Sequence, residues 1–227
     1  VFYFPASPIA EAIARAGIRL VLTRQERVAG NMADGVSRST NARQIGVFAV
    51  QESAGSENAF PGVVHSYTDS TPTLYLPGLP ELVRMHEHPT FVNKDHYRNV
   101  TKYAATPLTA DEIPYRLRQA YQALRSGRPL PAMVDVPDQA ASDHLSGPLD
   151  YKPVPWVRSA ADFGAVREAA DRLLRAKLPM IWAGNGVLYA EAWDELREVA
   201  ELLGAPVMNT LQGKSAFNER HELSVGT

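Results

Sequence analysis

The sequence predicts an α/β protein with a mostly parallel sheet and helices on both of its faces. The first observation is a rhythm, because short apolar runs alternate with amphipathic stretches along most of the chain. Such β-α-β-α alternation is typical of parallel strands that are joined by covering helices. The second observation is a proline-rich stretch at residues 146–156, after which the rhythm starts again. The chain is therefore expected to hold two units of the same class.

In the first unit, buried strands and covering helices are each predicted from a local pattern. The apolar runs that predict strands are Val1–Phe4, Arg19–Leu22, Ile45–Val50, Thr73–Leu76 and Ala132–Val136. The stretches that predict helices are Pro8–Ala16, Gln25–Ser39, Glu57–Thr68 and Ala110–Ser126. In the last of these helices the apolar residues fall on one stripe, as expected for a helix that covers a sheet.

After the proline-rich stretch, the pattern predicts a helix, a strand, a glycine turn, a second helix and a second strand. In that order they are Ala160–Ala176, Pro179–Ala183, Gly184–Gly186, Glu191–Leu203 and Ala205–Met208. We therefore expect a first domain at residues 1–149, a linker at residues 150–158 and a second domain at residues 159–227. With only two clear strands, the second domain is short for an α/β domain that folds independently.

Composition narrows the possible functions. The 227 residues are 45 % hydrophobic and 21 % charged, which is ordinary for a soluble globular protein. The net charge of −2 gives no sign of a nucleic-acid or membrane-surface partner, and no apolar run is long enough to cross a bilayer. The chain has no cysteine, which excludes disulfides, thiolate metal sites and a cysteine nucleophile. This composition fits a cytoplasmic protein.

Three loops follow the carboxyl ends of predicted strands, which is where open α/β sheets bind ligands. These loops are Phe4–Ser7, Thr23–Glu26 and Gln51–Asn58. Each loop also has an ordinary structural explanation. Ser7 followed by Pro8 is typical of a helix start, and the third loop, with its two acidic residues, fits a plain turn into a helix equally well. Their common location at one edge of the sheet is what indicates a shared crevice.

The segment around Glu26 allows two interpretations. Thr23 and Glu26 have the spacing of a capping box, in which both side chains stabilise the start of the following helix. Such a cap contributes about 1 kcal/mol and carries no chemistry. That helix also contains Gly30 and Gly35, each of which costs about 1 kcal/mol relative to alanine in a helix interior. Two such glycines indicate the close approach of another backbone or of a ligand, and they favour a Glu26 carboxylate that reaches a bound molecule.

Three other motifs predict no site of their own. Gly184-Asn185-Gly186 lacks the third glycine of a dinucleotide fingerprint. Gln212-Gly213-Lys214-Ser215 resembles the end of a P-loop, but Met208 stands where the first glycine belongs. His86-Glu87-His88 has no third ligand at a metal-binding spacing and fits a solvated loop, so we expect no metal site in this chain.

Five segments together carry a more specific signal. They are Arg24–Gly35, Tyr67–Pro72, Arg125–Pro137, Met180–Val187 and Thr210–Phe217. Four of them resemble the motifs R-H-E-x-x-A-x-x-M-A-x-G-Y-A-R, Y-x-D-S-x-P, S-G-R-x-G-P-V-x-x-D-x-P and T-x-x-G-K-G-x-F, and the segment from Met180 resembles the opening of a central domain. The chain thus resembles the thiamine-diphosphate enzymes of the acetolactate synthase, pyruvate oxidase and benzoylformate decarboxylase superfamily over essentially its whole length.

The resemblance implies a pyrimidine-binding domain up to residue 149, followed by part of a central, Rossmann-like domain. Family members continue with a third domain that holds Mg²⁺ and the diphosphate through a G-D-G motif and a later asparagine, and no segment here matches it. Some relatives bind FAD in the central domain near the match to Gly184-Asn185-Gly186, so flavin stays open. The family also implies a homodimer or homotetramer with the site between subunits.

The resemblance further implies roles for individual residues. Glu26 would be the catalytic residue that bonds N1′ of the aminopyrimidine, and Gln51 a second catalytic residue. The cofactor-binding positions would be Pro5, Ala6, Ser7, Glu26, Gly55 and Asn58. The positions on the substrate side would be Ser7, Gln51 and Phe91.

The chain departs from the family at two of these loops. Synthases have Pro-Gly-Gly where this chain has Pro5-Ala6-Ser7, and S-G-P-G-A-T-N where it has Glu52–Asn58. Benzoylformate decarboxylases place a catalytic histidine at the position of Gln51. A glutamine can donate a hydrogen bond to a substrate carboxylate but is a poor proton shuttle. The choice between decarboxylation and carboligation therefore stays open.

The function implied is that of a thiamine-diphosphate enzyme acting on a small 2-keto acid, of which this chain is a part that we expect to be inactive alone. Two other classes remain. A non-catalytic scaffold with the thiamine fold would be favoured by a hydrophobic residue at position 26, and Glu26 stands there instead. A dinucleotide-binding oxidoreductase built on the second unit is weakened by the missing third glycine.

Overall fold

The first unit is built around a parallel sheet in the computed structural model, which describes residues 1–5, 7–84, 87, 90–156 and 159–227. The described chain divides into two units, Val1–Val157 and Arg158–Thr227. In the first unit the strands are β1 (Phe2–Phe4), β2 (Val21–Leu22), β3 (Gly46–Val50), β4 (Thr73–Leu79), β5 (Tyr103–Ala105), β6 (Ala132–Val134) and β7 (Val136–Pro137). Their order is β2-β1-β3-β4-β6-β5, β7 pairs with β4, and every pairing is parallel. The predicted fold class is thereby confirmed.

The helices of the first unit connect these strands. They are α1 (Ser7–Arg15), α2 (Glu26–Ser39), α3 (Ala54–Thr68), α4 (Asn93–Tyr97), α5 (Glu112–Leu124) and α6 (Asp138–Ser142), with a short 3-10 helix at Leu82–Arg84. None of the helices in the described ranges is both long enough and apolar enough to cross a membrane.

Two hydrophobic layers cover the sheet, one on each face. One layer packs α2, α3 and α4 around Phe48, Tyr75 and Tyr97. The other packs α1, α5 and α6 around Leu74 and Leu124. Burial on both faces explains why the strands are continuous apolar runs rather than alternating ones.

Helix α2 lies unusually close to the sheet and to α3. An alanine Cβ built on Gly46, the first residue of β3, would lie 1.9 Å from the Ala33 carbonyl oxygen. An alanine Cβ built on Gly30 would lie 3.3 Å from the Cα of Gly62 in α3. The close approach predicted for Gly30 is thus observed, and the neighbour is a backbone. At Gly35, no described atom lies within 4 Å of such a Cβ, so the same argument fails there.

Polar contacts fasten the carboxyl-terminal half of α2. The Ser37 hydroxyl donates to the Pro72 carbonyl oxygen at 2.6 Å and accepts from the Gly46 backbone N–H at 2.9 Å. The buried Asp34 carboxylate accepts from the Ser66 hydroxyl of α3 at 2.9 Å and pairs with Arg38. With α2 fixed to both β3 and α3, the position of its first residue, Glu26, is determined by the sheet rather than by a loop.

The second unit contains a two-stranded parallel sheet. Its elements are α7 (Phe163–Arg175), β8 (Ile181–Ala183), α8 (Asn185–Ala190), α9 (Trp193–Leu203) and β9 (Val207–Asn209). A small core forms around Ala183, Ala200, Val207 and Phe217. Large apolar side chains stay exposed, among them Phe163 (88 %), Leu178 (93 %) and Trp182 (70 %).

The structure adds short elements that the sequence did not predict, namely β5, α4, α6 and α8. The predicted strand Ala132–Val136 is divided at Asp135 into β6, which pairs with β5 and β4, and β7, which pairs with β4. The strand predicted at Thr73–Leu76 continues to Leu79. Helix α3 begins at Ala54 rather than Glu57, and the predicted turn at Gly184–Gly186 is the start of α8.

The contact between α2 and β3 makes a sharp prediction for Gly46→Ala. We expect a loss of about 3 kcal/mol in the free energy of unfolding, because the added methyl group would overlap the Ala33 carbonyl oxygen. Urea denaturation measures this change. The control is Gly35→Ala in the same helix, which should raise stability by up to about 1 kcal/mol through helix propensity. Equal unfolding midpoints for the two variants would contradict the close packing.

Candidate functional site

The three predicted loops leave neighbouring strands at one edge of the sheet. Strands β2, β1 and β3 are adjacent and parallel, so the loops after Leu22, Phe4 and Val50 emerge side by side. The loop after β4 and the start of α6 after β7 join them at the same edge. This is the edge at which open α/β sheets place their ligands.

Glu26 is the first residue of α2 and is almost completely buried, with 3 % of its surface exposed. Within the described ranges, its carboxylate makes no hydrogen bond and no ion pair. A side-chain polar group in a residue so nearly buried usually has a hydrogen-bond partner. The arrangement therefore fits a hydrogen-bond donor that comes from outside these residues.

The capping-box interpretation of Glu26 is wrong. The N-cap of α2 is Gln25, and among the described residues no side chain makes a capping hydrogen bond to the start of this helix. The Thr23 hydroxyl donates instead to the carbonyl oxygens of Tyr3, at 3.1 Å, and Gln25, at 3.0 Å. Thr23 thus ties the end of β2 to β1 and leaves the Glu26 carboxylate unused.

Gln51 follows β3 and is exposed. Its side chain lies across Gly55, which is buried in the first turn of α3. Gln51 also lines a cavity of about 130 Å³ at the carboxyl edge of the sheet. The other lining residues are Pro8, Ile9, Val50, Glu52, Gly78 and Asp138.

Two acidic residues of this cavity were not predicted as site residues. Burial, and then the nearby charge of Asp138, raise the pKa of Glu52, while Arg84 opposes the shift. Burial, and then the charge of Glu81, raise the pKa of Asp138. The available signal was positional, since Asp138 follows Val136–Pro137 at the same sheet edge as the three loops. The two carboxyl groups thus lie close enough in this part of the fold for the charge of Asp138 to act on Glu52.

The remaining predicted residues are placed as follows. Pro5 is exposed at the end of β1, and Asn58 is exposed on α3. Ala6 and the side chain of Ser7 lie outside the described residues, as do His86 and His88 of the rejected metal motif. In the described ranges, no group of three histidine or acidic side chains is arranged to hold a metal ion.

Phe91 is held by its own segment of chain. It is half-buried against the α2–α3 face of the core and stacks on His96 with ring centroids 4.2 Å apart. Two residues further on, the buried Asn93 donates through Nδ2 to the Gly78 carbonyl oxygen at 3.0 Å and to Asp135 Oδ1 at 2.7 Å. The segment that carries Phe91 is therefore anchored to the ends of β4 and β6.

Asp135 is a buried carboxyl group that the resemblance named only as part of a motif. Burial raises the pKa of Asp135 to about 7, and hydrogen bonds from Asn93 and Thr106 limit the rise. An aspartate that sits between two strands and anchors the Phe91 segment has a structural reason to be there. Sequence reasoning had no means of assigning this role, because Asn93 is distant in the chain.

In the second unit, close packing accounts for the glycine of the P-loop-like segment. An alanine Cβ on Gly213 would lie 2.7 Å from the Ala183 carbonyl oxygen and from the Gly184 carbonyl carbon. The Gly213 N–H also donates to the Thr210 hydroxyl at 3.0 Å. These contacts fix a loop against the end of β8.

Two family models match this chain. The model described as "Thiamine pyrophosphate enzyme, N-terminal TPP binding domain" matches residues 1–98. The model described as "Thiamine pyrophosphate enzyme, central domain" matches residues 166–227. Thiamine pyrophosphate and thiamine diphosphate are two names of one coenzyme.

Individual proteins agree with the models. Glyoxylate carboligase of Escherichia coli O157:H7 is 34 % identical over 92 % of this chain, and the acetolactate synthase large subunit of Haemophilus influenzae is 31 % identical over 88 %. The matches span 36 % of the length of each of these relatives. The crystal structure of benzoylformate decarboxylase from Polynucleobacter necessarius superposes on all of the present chain with a TM-score of 0.87. The match spans 43 % of the decarboxylase chain. At 22 % identity, this last likeness concerns the fold alone.

The buried Asp135 makes stability depend on pH. Because its pKa is about 7 in the folded chain and 3.8 ordinarily, the folded state binds more protons between these values, and stability falls as pH rises from about 4 to about 7. Relative to Asp135→Asn, the wild-type chain should lose about 1 kcal/mol of unfolding free energy per pH unit in this window. Urea denaturation at several pH values measures the slope.

The control for this prediction is Asp95→Asn, at an exposed position of α4. Its unfolding free energy should follow the wild-type pH dependence. If Asp135→Asn also kept the wild-type slope, the buried carboxyl group would not be the source of the effect.

Proposed function

This chain belongs to the thiamine pyrophosphate enzyme family, and from that premise we propose that it forms the pyrimidine-binding side of an enzyme acting on 2-keto acids. Because the chain spans about a third of its curated relatives, the activity is proposed for the longer protein that contains it. The domain assignment, residues 1–149 for the pyrimidine-binding domain and 159–227 for part of the central domain, belongs to the same proposal.

One observation carries the proposal: Glu26 is buried at the ligand edge of the sheet, and no described residue satisfies its carboxylate. A ring nitrogen of the coenzyme's aminopyrimidine, N1′, is the partner that this carboxylate fits. In a water-poor site, the proton shared between a carboxylate and a ring nitrogen is strongly held. A purely structural glutamate would be expected to have a partner within its own chain.

When bound, the coenzyme supplies a thiazolium carbon that acts as an electron sink for a 2-keto acid. The task of Glu26 is to hold a proton at N1′ and so to set the protonation of the aminopyrimidine. Because α2 is fixed to β3 and α3 through glycine contacts, the carboxylate is oriented before the coenzyme arrives. Such preorganisation is a large part of how enzymes lower barriers.

Gln51 is assigned to the substrate side of the same site. Its carboxamide can donate a hydrogen bond to the carboxylate of a 2-keto acid, and it does not carry protons at neutral pH. This favours binding and orientation over acid–base catalysis at position 51. Ser7 and Phe91 are proposed as further substrate contacts.

Pro5, Ala6, Gly55 and Asn58 are proposed to contact the coenzyme. The support for this assignment is their position on the loops that surround Glu26 and Gln51 at the carboxyl edge of the sheet. Of these, Gly55 is buried by the Gln51 side chain, so its contact with the coenzyme would be through the backbone.

Mg²⁺ and flavin are proposed as further cofactors. Mg²⁺ is proposed to be held by the third domain that the family resemblance implies, and among the described residues there is no cluster of three ligating side chains. For flavin, the relevant observation is Asn209 at the end of β9, whose amide is 2 % exposed and has neither of its polar atoms paired in the described chain. A water molecule could hydrogen-bond to the Asn209 amide as well as a flavin could, so Asn209 gives no specific support for flavin.

We also propose that the enzyme is a homodimer or homotetramer with the site between subunits. In support, Val28 and Met32 are 37 % and 40 % exposed on α2, within the two turns that follow Glu26. They are four residues apart and share one face of the helix, and an exposed apolar helix face is suited to a protein partner. We propose a small 2-keto acid as the other partner, no nucleic-acid or membrane partner, and a cytoplasmic location.

The glycine-bearing turn of the second unit gives a dinucleotide-dependent oxidoreductase no added support, since Gly184 acts as the N-cap of α8. The two curated relatives are named for carboligation and for acetolactate synthesis, which favours carboligation over simple decarboxylation as the overall reaction.

In the intact enzyme, Glu26→Gln should slow hydrogen–deuterium exchange at C2 of the bound coenzyme by about 10²- to 10⁴-fold, because the amide cannot share a proton with N1′. NMR of quenched samples measures the exchange. The matched control is Glu11→Gln, an exposed glutamate of α1, which should leave exchange unchanged.

A second measurement separates chemistry from folding. In the 227-residue chain, Glu26→Gln should leave the free energy of unfolding equal or higher, because it removes a buried carboxylate that has no partner. Unchanged exchange combined with a loss of stability would return Glu26 to a structural role and would sink the proposal.

A further inference from the structure

We propose that Gly55 is a positioning residue: the side chain it lacks provides the space in which the Gln51 carboxamide is held at the cavity. The inference rests on the proposed function, because that proposal is what gives Gln51 a substrate to bind. It assigns Gly55 an effect that acts through Gln51, in addition to any contact of its backbone with the coenzyme.

The primary observation is a clash that an alanine would create. A Cβ built on Gly55 would lie 2.4 Å from Gln51 Cγ, 3.4 Å from its Cβ and 3.6 Å from its Cδ. The side chain of Gln51 therefore occupies the volume that any other residue at position 55 would fill. Because the closest atom is Cγ rather than the amide end, the clash is relieved only by turning the whole side chain about χ1.

The backbone of Gln51 is seated in the same way by a second glycine. A Cβ on Gly78 of β4 would lie 3.2 Å from the Glu52 backbone nitrogen and 3.6 Å from the Gln51 carbonyl carbon. One glycine thus lies under the backbone at position 51 and another lies under the side chain. These glycines come from different elements, so the seat is a tertiary feature and not a property of the loop.

The turn between Gln51 and α3 is strained. Ser53, the N-cap of α3, has φ 50° and ψ −108°, in a region that non-glycine residues rarely adopt. Strain of this kind persists only where the surroundings enforce it, and it is concentrated at functional sites. Here the turn brings Gly55 back beneath Gln51 within four residues.

The chemical consequence concerns the donor at position 51. Its cavity of about 130 Å³ is bordered by the apolar Pro8 and Ile9 and by the carboxyl groups of Glu52 and Asp138. Among these side chains, the Gln51 amide is the uncharged donor that can face a substrate carboxylate without repulsion. Displacing it would expose that carboxylate to the two acidic residues, so the seat affects substrate binding more than the chemical step.

The test is a double-mutant cycle with Gly55→Ala, Gln51→Ala and the double variant, and Gly147→Ala as control. A methyl group added at Gly147 would have no described atom within 4 Å, so this control should behave as wild type in every measurement. In the 227-residue chain, Gly55→Ala should lower the urea midpoint. In the Gln51→Ala background, where Cγ is missing, the same substitution should have little or no effect.

The second readout is the KM for pyruvate in the intact enzyme, with pyruvate as the probe 2-keto acid. Gly55→Ala should raise KM about tenfold, with a smaller change in kcat, because a displaced binding group weakens ground-state and transition-state binding alike. Adding Gly55→Ala to Gln51→Ala should raise KM no further.

Additive effects in the cycle, on either the urea midpoint or KM, would overturn the positioning role. Failure of both variants carrying Gly55→Ala to fold would also overturn it, since the clash would then lie elsewhere. If Gln51→Ala alone left KM unchanged, the seat would have no role in substrate binding. The slowed C2 exchange expected for Glu26→Gln does not depend on any of these outcomes. The proposed function is therefore tested independently of the role of Gly55.

Discussion

The site depends on one constraint, which is the direct backbone contact of α2 with β3 and α3. Gly46 lets the Ala33 carbonyl group lie against the start of β3, and Gly30 lets the helix meet Gly62. Contact at this range leaves no side chains in between to deform, so α2 moves only with the sheet. Glu26, at the start of this helix, inherits that rigidity although it follows a loop.

Polar groups complete the attachment where glycine cannot. Ser37 bridges the Pro72 carbonyl group and the Gly46 N–H, while Asp34 joins α2 to Ser66 of α3. Hydrogen bonds between buried groups are directional, so they oppose sliding of α2 along α3 at the contact between Gly30 and Gly62. Glu26 lies at the other end of the same helix, and no described residue satisfies its carboxylate.

The sequence was sufficient for the fold class and for the main strands and helices of the first unit, because these depend on hydrophobic periodicity, which is local. It was insufficient wherever a contact joins distant segments. The capping box at Thr23 failed because the hydroxyl bonds to Tyr3 on the neighbouring strand. The predicted strand Ala132–Val136 is divided at Asp135, and its two parts pair with different sets of strands, which local periodicity does not reveal. The acidic residues around the cavity were not recognised, since Asp138 reaches Glu52 only through the sheet topology.

Gly78 has a position that joins two parts of the proposed substrate side. Its carbonyl oxygen accepts from Asn93, which anchors the segment of Phe91, and its Cα supports the backbone beside Gln51. The Gln51 loop and the Phe91 segment, which are far apart in the sequence, thus both contact Gly78 of β4. A shift of that peptide would move the Gln51 loop and the Phe91 segment together. The distance between them would therefore stay the same when the sheet fluctuates.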